Sequence, residues 1–98
     1  MGRLDGKVAI ITGASRGQGE AEVKLFVREG AKVCFGDILD EEGMRLEAEI
    51  RELGGEATYV HLDVTKEEEW QRAIQHTEAT YGKLDILVNN AGISIGTR

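Results

Sequence analysis

Three glycines punctuate residues 12–19, which read TGASRGQG and lie between an apolar run and a segment with helical period. Glycine permits tight turns and lets a ligand approach the backbone, because it carries no side chain. The backbone amides at the start of a helix, with the positive end of the helix dipole, suit a pyrophosphate. The segment does not match the GxGxxG fingerprint. It is not a Walker loop either, because no Gly-Lys-Ser/Thr sequence closes it. It predicts a phosphate-binding turn, with a glycine-rich turn that binds no ligand as the alternative.

Asp37 ends the second predicted strand, about 20 residues beyond this turn, where a dinucleotide-binding fold places an acid against the adenosine ribose. A carboxylate there accepts hydrogen bonds from both ribose hydroxyls and repels a 2′-phosphate, so NAD is predicted in preference to NADP. Arg16 in the turn weighs the other way, because a basic residue there can help to bind a 2′-phosphate. The alternative role for Asp37 is to cap the turn that follows its strand.

Four β-rich runs carry these residues at their ends. The runs are residues 7–12, 32–37, 57–63 and 85–89. Continuous apolar centres such as residues 8–11 are typical of strands that are covered on both faces of a parallel sheet. The third run alternates more between polar and apolar residues, which places it nearer an edge.

Three segments with helical period separate the runs. They cover residues 17–30, residues 41–53 and a third segment that ends at Gly82. Thr65 and Glu68 have the spacing of a capping box at the start of the third helix. The residues expected to face the sheet are Ala21, Val23, Phe26 and Val27 in the first helix, Leu46, Ile50 and Leu53 in the second, and Trp70, Ala73, Ile74, Thr77 and Tyr81 in the third. The alternation of strand and helix predicts an α/β fold with a doubly wound parallel sheet.

The composition excludes several classes of protein. The chain has 98 residues, 12 basic and 18 acidic, and no basic stripe, so one domain is expected and nucleic acid is not an expected partner. The longest apolar run, residues 8–11, is far shorter than the about 20 residues of a membrane span. Cys34 is the only cysteine, so it cannot form an internal disulfide and is expected in the core. We therefore expect a cytoplasmic protein.

The glycine turn resembles the TGxxxGxG motif of the short-chain dehydrogenase/reductase family. Residues 89–92, NNAG, match the same family's motif without a change, and the resemblance covers residues 6–92. It implies the amino-terminal, NAD-binding part of a Rossmann-type fold, spanning residues 1–98, with strand order 3-2-1-4.

The resemblance also implies a role for each motif residue. The implied cofactor-binding residues are Gly13, Ser15, Arg16, Gly17, Gln18 and Gly19 in the turn, and Asp37, Ile38, Asp63, Val64, Asn90, Ala91 and Gly92 at the later strand ends. Asp63 is implied to reach the adenine amino group, and Asn89 to steady the central sheet. From the residues alone, the alternative is that Asp63 starts the turn into the third helix. No metal site is expected.

Two residues depart from the family pattern. Gln18 stands where the family usually has an aliphatic residue beneath the cofactor, and Glu22 is acidic where many members are apolar. Both departures bear on helix packing and on cofactor affinity.

The residues of the family's chemistry are not expected within this chain. That chemistry needs a tyrosine made more acidic by a lysine four residues later, but Tyr59 and Tyr81 are followed at that spacing by Asp63 and Asp85. Ser94 is too close to the NNAG turn to polarise a carbonyl. A sheet that ends at the fourth strand also leaves an apolar edge, which invites pairing with a partner. The chain is therefore interpreted as an incomplete domain without catalytic residues.

The leading hypothesis is the binding half of an oxidoreductase that moves hydride between nicotinamide and an alcohol or carbonyl. An alcohol or ketone would be the substrate of the full-length parent, which is expected to form a homo-oligomer. The alternative is a non-catalytic nucleotide-binding or self-associating α/β module.

Overall fold

The computed structural model describes residues 2–90, in which strands and helices alternate as predicted. The elements are β1 (Val8–Thr12), α1 (Gly17–Arg28), β2 (Lys32–Asp37), α2 (Asp40–Glu52), β3 (Ala57–His61), α3 (Glu67–Tyr81) and β4 (Ile86–Asn89). The third strand ends at His61 and not at Asp63, so residues 62–63 belong to the turn that leads to α3. The other strand ends agree with the prediction to within one residue.

All the strands of the described sheet are parallel, in the order β3-β2-β1-β4. This confirms the predicted α/β class and the strand order of a doubly wound fold. β1 is central and buried along its whole length, with Ile10 opposite Cys34 on one side and Leu87 on the other. β3 lies at one edge of the described sheet, as its alternating pattern predicted.

Helices pack on both faces of the sheet. The main core cluster joins Ile11, Val33 and Phe35 of the sheet to Val23 of α1 and Leu46 of α2. Side chains alternate between faces along a strand, so Cys34 points to the opposite face, where α3 packs. Cys34 is fully buried, which confirms its core position, and burial raises the pKa of its thiol.

Two residues expected to face the sheet point outward. Ala21 is exposed, because the buried stripe of α1 follows Val23 and the half-buried Phe26 and Val27, and Ala21 lies on the other side of the helix. Leu53 is 81% exposed, because α2 ends at Glu52 and the chain no longer follows the helical stripe.

The capping box predicted at Thr65 and Glu68 is wrong. The N-cap of α3 is Lys66, which makes no side-chain capping bond. Thr65 instead donates both its backbone N–H and its hydroxyl to the Asp63 carboxylate, and Glu69 accepts the Asp63 N–H. The predicted end of α3 is confirmed, since Gly82 has a φ of 88° and forms the left-handed C-cap.

Between residues 2 and 90, no helix combines the length and apolar character needed to cross a bilayer. The same residues contain no group of three or more His, Cys, Asp or Glu side chains arranged to hold a metal ion.

Candidate functional site

The glycine turn connects the end of β1 to the start of α1 at the carboxyl edge of the sheet. Gly13 has a φ of 60° and Gly17 a φ of 65°, a left-handed conformation that residues with side chains rarely adopt. No side chain caps the start of α1 at Arg16. The first-turn amides of α1 are therefore left to other acceptors, and an anion suits them.

Gly17 and Gly19 serve different purposes in this turn. A Cβ at Gly19 would lie 2.0 Å from the Gly13 carbonyl oxygen, so only glycine lets α1 pack against the turn. A Cβ at Gly17 would meet nothing within 4 Å. The space in front of Gly17 is thus open to a ligand, as a phosphate-binding turn requires.

Ser15 supplies an unsatisfied polar group in the same turn. Its side chain is buried, with 4% of the residue exposed, and its Oγ has no hydrogen-bond partner among the described residues. Leaving a buried hydroxyl unpaired costs about 1–3 kcal/mol. Ser15, the open face of Gly17 and the uncapped helix start all fit a bound pyrophosphate.

The Asp37 carboxylate joins the end of β2 to the glycine turn. One oxygen accepts the Ser15 N–H at 3.1 Å. The other accepts the N–H of Ile38 at 2.6 Å and of Leu39 at 3.3 Å, which is the capping role left open by the sequence. Asp37 therefore caps its own turn and also borders the candidate phosphate site, while its contact with a ribose stays a prediction.

The residues expected to contact the adenine follow the ends of β2 and β3. Ile38 is 59% exposed, so it offers an apolar surface at the rim of the site. The Asp63 carboxylate is bound to Thr65, whose hydroxyl lowers the pKa of Asp63. Asp63 thus starts the turn into α3, which is the alternative interpretation of this residue. Val64 is half-buried, and its carbonyl accepts the indole N–H of Trp70 at 2.9 Å. The adenine contacts of Asp63 and Val64 stay predictions.

The two asparagines at the end of β4 make separate contacts. Asn89 accepts a hydrogen bond from the Thr12 hydroxyl at 2.7 Å, which ties the end of β4 to the end of β1. The Asn90 side chain donates to Glu22 of α1 at 2.5 Å. Ala91 and Gly92 lie outside the described residues, so their predicted cofactor contacts are untested.

The sequence interpretation missed a polar cluster at this edge. The Tyr59 hydroxyl lies 2.7 Å from the Asp37 carbonyl oxygen and 2.6 Å from the Asp40 carboxylate, and His61 Nδ1 lies 2.8 Å from the same Asp40 oxygen. A Cβ at Gly43 would lie 2.1 Å from the Tyr59 ring. Glycine destabilises a helix interior relative to other residues. The presence of Gly43 within α2 was therefore a signal in the sequence that a large side chain packs against the helix at this position.

We expect the contribution of His61 to stability to depend on pH. The hydrogen bond to Asp40 raises the pKa of His61. Protonated His61 therefore stabilises the fold below the ordinary histidine pKa of about 6.5, and this contribution is lost as the pH rises through the higher pKa of the folded state. The Tyr59 hydroxyl and His61 lower the pKa of Asp40, so its contribution is lost only in stronger acid.

Urea unfolding checks this expectation. His61→Gln is expected to lower the free energy of unfolding more at about pH 5.5 than at about pH 9. His76→Gln, which changes the other histidine at an exposed position on α3, is the control. An equal effect of His61→Gln at both values would contradict the assignment.

The comparisons with known proteins agree with this geometry. Residues 7–98 match the family model described as short chain dehydrogenase. The chain is 53% identical over 97 residues to the 3-alpha-(or 20-beta)-hydroxysteroid dehydrogenase of Mycobacterium tuberculosis, covering 98% of this chain and 36% of that protein. It is 52% identical over 92 residues to the mitochondrial borneol dehydrogenase of Lavandula x intermedia, covering 94% and 34%. The chain therefore spans about a third of the length of these relatives.

Solved structures give the same result. The crystal structure of a hydroxysteroid dehydrogenase from Escherichia coli matches with a TM-score of 0.88 and 43% identity, over 92% of this chain and 38% of that one. A short chain dehydrogenase/reductase from Burkholderia phymatum in complex with NAD matches with a TM-score of 0.84 and 31% identity, over 89% and 31%.

Proposed function

Because the chain belongs to the short chain dehydrogenase family, we propose that its glycine turn and the neighbouring strand ends bind NAD(H) for an alcohol–carbonyl oxidoreductase. The nicotinamide of the bound cofactor supplies the hydride acceptor or donor. The residues of this chain bind and orient the cofactor, and the chain contributes no catalytic residue of its own. An alcohol or ketone is the proposed substrate of the whole protein, in keeping with the dehydrogenase names of its relatives.

The unpaired Ser15 hydroxyl is the observation that carries the proposal. It is buried beside the uncapped start of α1 and near the open face of Gly17. A pyrophosphate there accepts hydrogen bonds from the hydroxyl and from the first-turn amides, and the helix dipole favours its negative charge. The exposed Arg16 side chain adds a positive charge at the same turn.

The adenosine half is proposed to lie over the end of β2. Asp37 accepts hydrogen bonds from the ribose hydroxyls and Ile38 covers one face of the adenine, while Asp63 and Val64 border the adenine from the turn that follows β3. The negative charge of Asp37 favours NAD over NADP because it repels a 2′-phosphate. A bound NAD in the Burkholderia phymatum relative supports this choice.

Two further proposals concern the whole protein. It is proposed to be cytoplasmic, in keeping with its single buried cysteine. It is also proposed to form a homo-oligomer.

Gly17→Ala tests cofactor binding while leaving the fold in place. The new methyl group clashes with nothing within 4 Å, but alanine at a φ of 65° costs about 1–2 kcal/mol of stability. We expect NADH affinity to fall at least about tenfold, because the methyl group stands where the pyrophosphate approaches. This decrease corresponds to the loss of one charge-assisted hydrogen bond. NADH fluorescence titration measures the affinity, and urea unfolding measures the stability.

Gly54→Ala is the matched control. Gly54 has a φ of 88° and also has open space around its Cβ position, but it lies after α2, away from the glycine turn. Its replacement is expected to cost similar stability and to leave NADH affinity unchanged. Equal NADH affinity in the Gly17→Ala variant and the unaltered protein would argue against the proposed site.

A further inference from the structure

The two departures from the family pattern contact one another. Gln18 and Glu22 lie one helical turn apart at the start of α1, and Gln18 Nε2 lies 3.4 Å from Glu22 Oε2. The other oxygen, Glu22 Oε1, accepts the Asn90 side-chain amide at 2.5 Å. A single carboxylate therefore connects the glycine turn, the first helix and the residue that follows β4.

The contacts of Glu22 differ from those of Glu20, the other acidic residue near the start of α1. Glu20 forms an ion pair with Lys24 at 3.1 Å, the ordinary arrangement of charges on a helix surface. Glu22 is half-buried and directs both oxygens at amide groups. Hydrogen bonds that involve an ionised acceptor are stronger than those between neutral groups.

The bridge lies on one side of the proposed site. β1 stands between β2, which carries Asp37, and β4, which leads to Asn90. The proposed adenosine contacts are on the β2 side of the glycine turn, so Glu22 and Asn90 border the half of the dinucleotide that extends toward β4.

We propose that Glu22 is a positioning residue that holds Asn90 and Gln18 at a set separation for the nicotinamide half of the cofactor. The inference rests on the proposed function and deepens it. Asn90 is held by a charged acceptor, which limits the orientations open to its side chain. The polar Gln18 and the acidic Glu22 thus act as a pair, and an apolar residue at either position would break their contact.

Glu22→Leu tests the proposal, because its effect on the binding of NADH can be compared with its effect on the binding of ADP, which lacks the nicotinamide half. It is expected to weaken NADH binding about three- to tenfold, the range for the loss of one hydrogen bond. The affinity for ADP, which carries only adenosine and two phosphates, is expected to stay unchanged. Isothermal titration of the purified protein with each ligand gives both values.

Three variants serve as controls for this titration. Glu22→Gln keeps an oxygen acceptor for Asn90 and is expected to retain most of the NADH affinity. Glu22→Leu in an Asn90→Ala background is expected to add no further loss, because coupled residues are not additive. Glu67→Leu removes a similar pair on α3, where Gln71 Nε2 lies 3.4 Å from Glu67 Oε2, and is expected to leave NADH affinity unchanged.

The outcomes separate the inference from the proposed function. NADH affinity in Glu22→Leu equal to that of the unaltered protein, or an equal loss for ADP and NADH, would overturn the positioning role while leaving the binding site in place. Failure of the unaltered protein to bind either ligand would overturn the proposed function and the inference with it. Selective loss of NADH affinity with recovery in Glu22→Gln would establish the role.

Discussion

Asp37→Ala is expected to weaken NAD binding by about 1.5–3 kcal/mol, a factor of roughly 10 to 150. The carboxylate borders the glycine turn through the Ser15 N–H at 3.1 Å, so it lies where the adenosine ribose of a bound dinucleotide would extend. Removing it takes away the proposed acceptor for two ribose hydroxyls. It also removes the repulsion of a 2′-phosphate, so the preference for NAD over NADP is expected to decrease.

Two further variants separate ribose binding from the capping role of Asp37. Asp37→Asn keeps an oxygen that can accept the N–H groups of Ile38 and Leu39 but loses the charge. It is expected to decrease the NAD preference with a smaller change in stability than alanine. Asp85→Ala is the control, because Asp85 also accepts a backbone N–H, from Val8 at 2.9 Å, but lies at the opposite edge of the sheet.

Calorimetric titration with NAD and with NADP measures both affinities for each variant. Asp85→Ala is expected to leave both unchanged. Equal NAD affinity in the Asp37→Ala variant and the unaltered protein would refute the ribose assignment and leave capping as the role of this carboxylate.

The fold was predictable because its signals are local. The limits of β2 follow from one apolar run that ends at Asp37, and the end of α3 follows from Gly82. Parallel pairing then follows from the alternation of strands and helices, because short crossovers allow few other topologies. Ser15 lies in the glycine turn by its place in the sequence, but its burial and its unpaired hydroxyl depend on the packing around it.

The contacts that the sequence did not reveal are nonlocal or depend on competition between neighbours. Glu22 and Asn90 are far apart in sequence and meet only because α1 packs beside the end of β4. The capping box failed because α3 begins one residue later than Thr65 would require, with Lys66 as its N-cap, and the Thr65 hydroxyl donates to Asp63 in the preceding turn. The spacing of residues in the sequence identifies a possible hydrogen-bond partner. It does not show which of several possible partners the fold brings into contact.

The cluster of Asp40, Tyr59 and His61 illustrates the same limit. Tyr59 and His61 are two residues apart on β3, so their side chains lie on the same face of the sheet. Asp40 lies at the start of α2, and only the fold brings it into contact with them. The resemblance to the family assigned no role to these residues. Their position beside the Asp37 carbonyl oxygen became visible only in the structure.

The 98-residue chain is expected to show no dehydrogenase activity with any alcohol or ketone, even where it binds NAD. Proton transfer by a tuned acid or base typically contributes a factor of about 10²–10⁴. The Tyr59 hydroxyl lies against the Asp40 carboxylate, and burial together with that negative charge raises its pKa. This is the opposite of the lowered pKa that proton transfer at neutral pH requires.

Tyr81 is no better placed for this chemistry. Its hydroxyl lies 3.0 Å from the Thr58 hydroxyl, near the start of β3. This is the amino-terminal end of the parallel strands, whereas the glycine turn lies at their carboxyl-terminal end. Burial raises the pKa of Tyr81. We therefore expect neither described tyrosine to pass a proton to a substrate oxygen beside the proposed nicotinamide site.

Absorbance of reduced nicotinamide measures turnover directly, with the purified chain, NAD and a panel of alcohols, or NADH and ketones. Tyr59→Phe and Tyr81→Phe are the matched variants, because each removes one hydroxyl and keeps the ring. Turnover that copurifies with the chain and vanishes in either variant would show that a tyrosine within this chain is catalytic. NAD binding without turnover would agree with a cofactor-binding half, since the glycine turn and Asp37 are proposed to hold a dinucleotide and to supply no group that moves a proton.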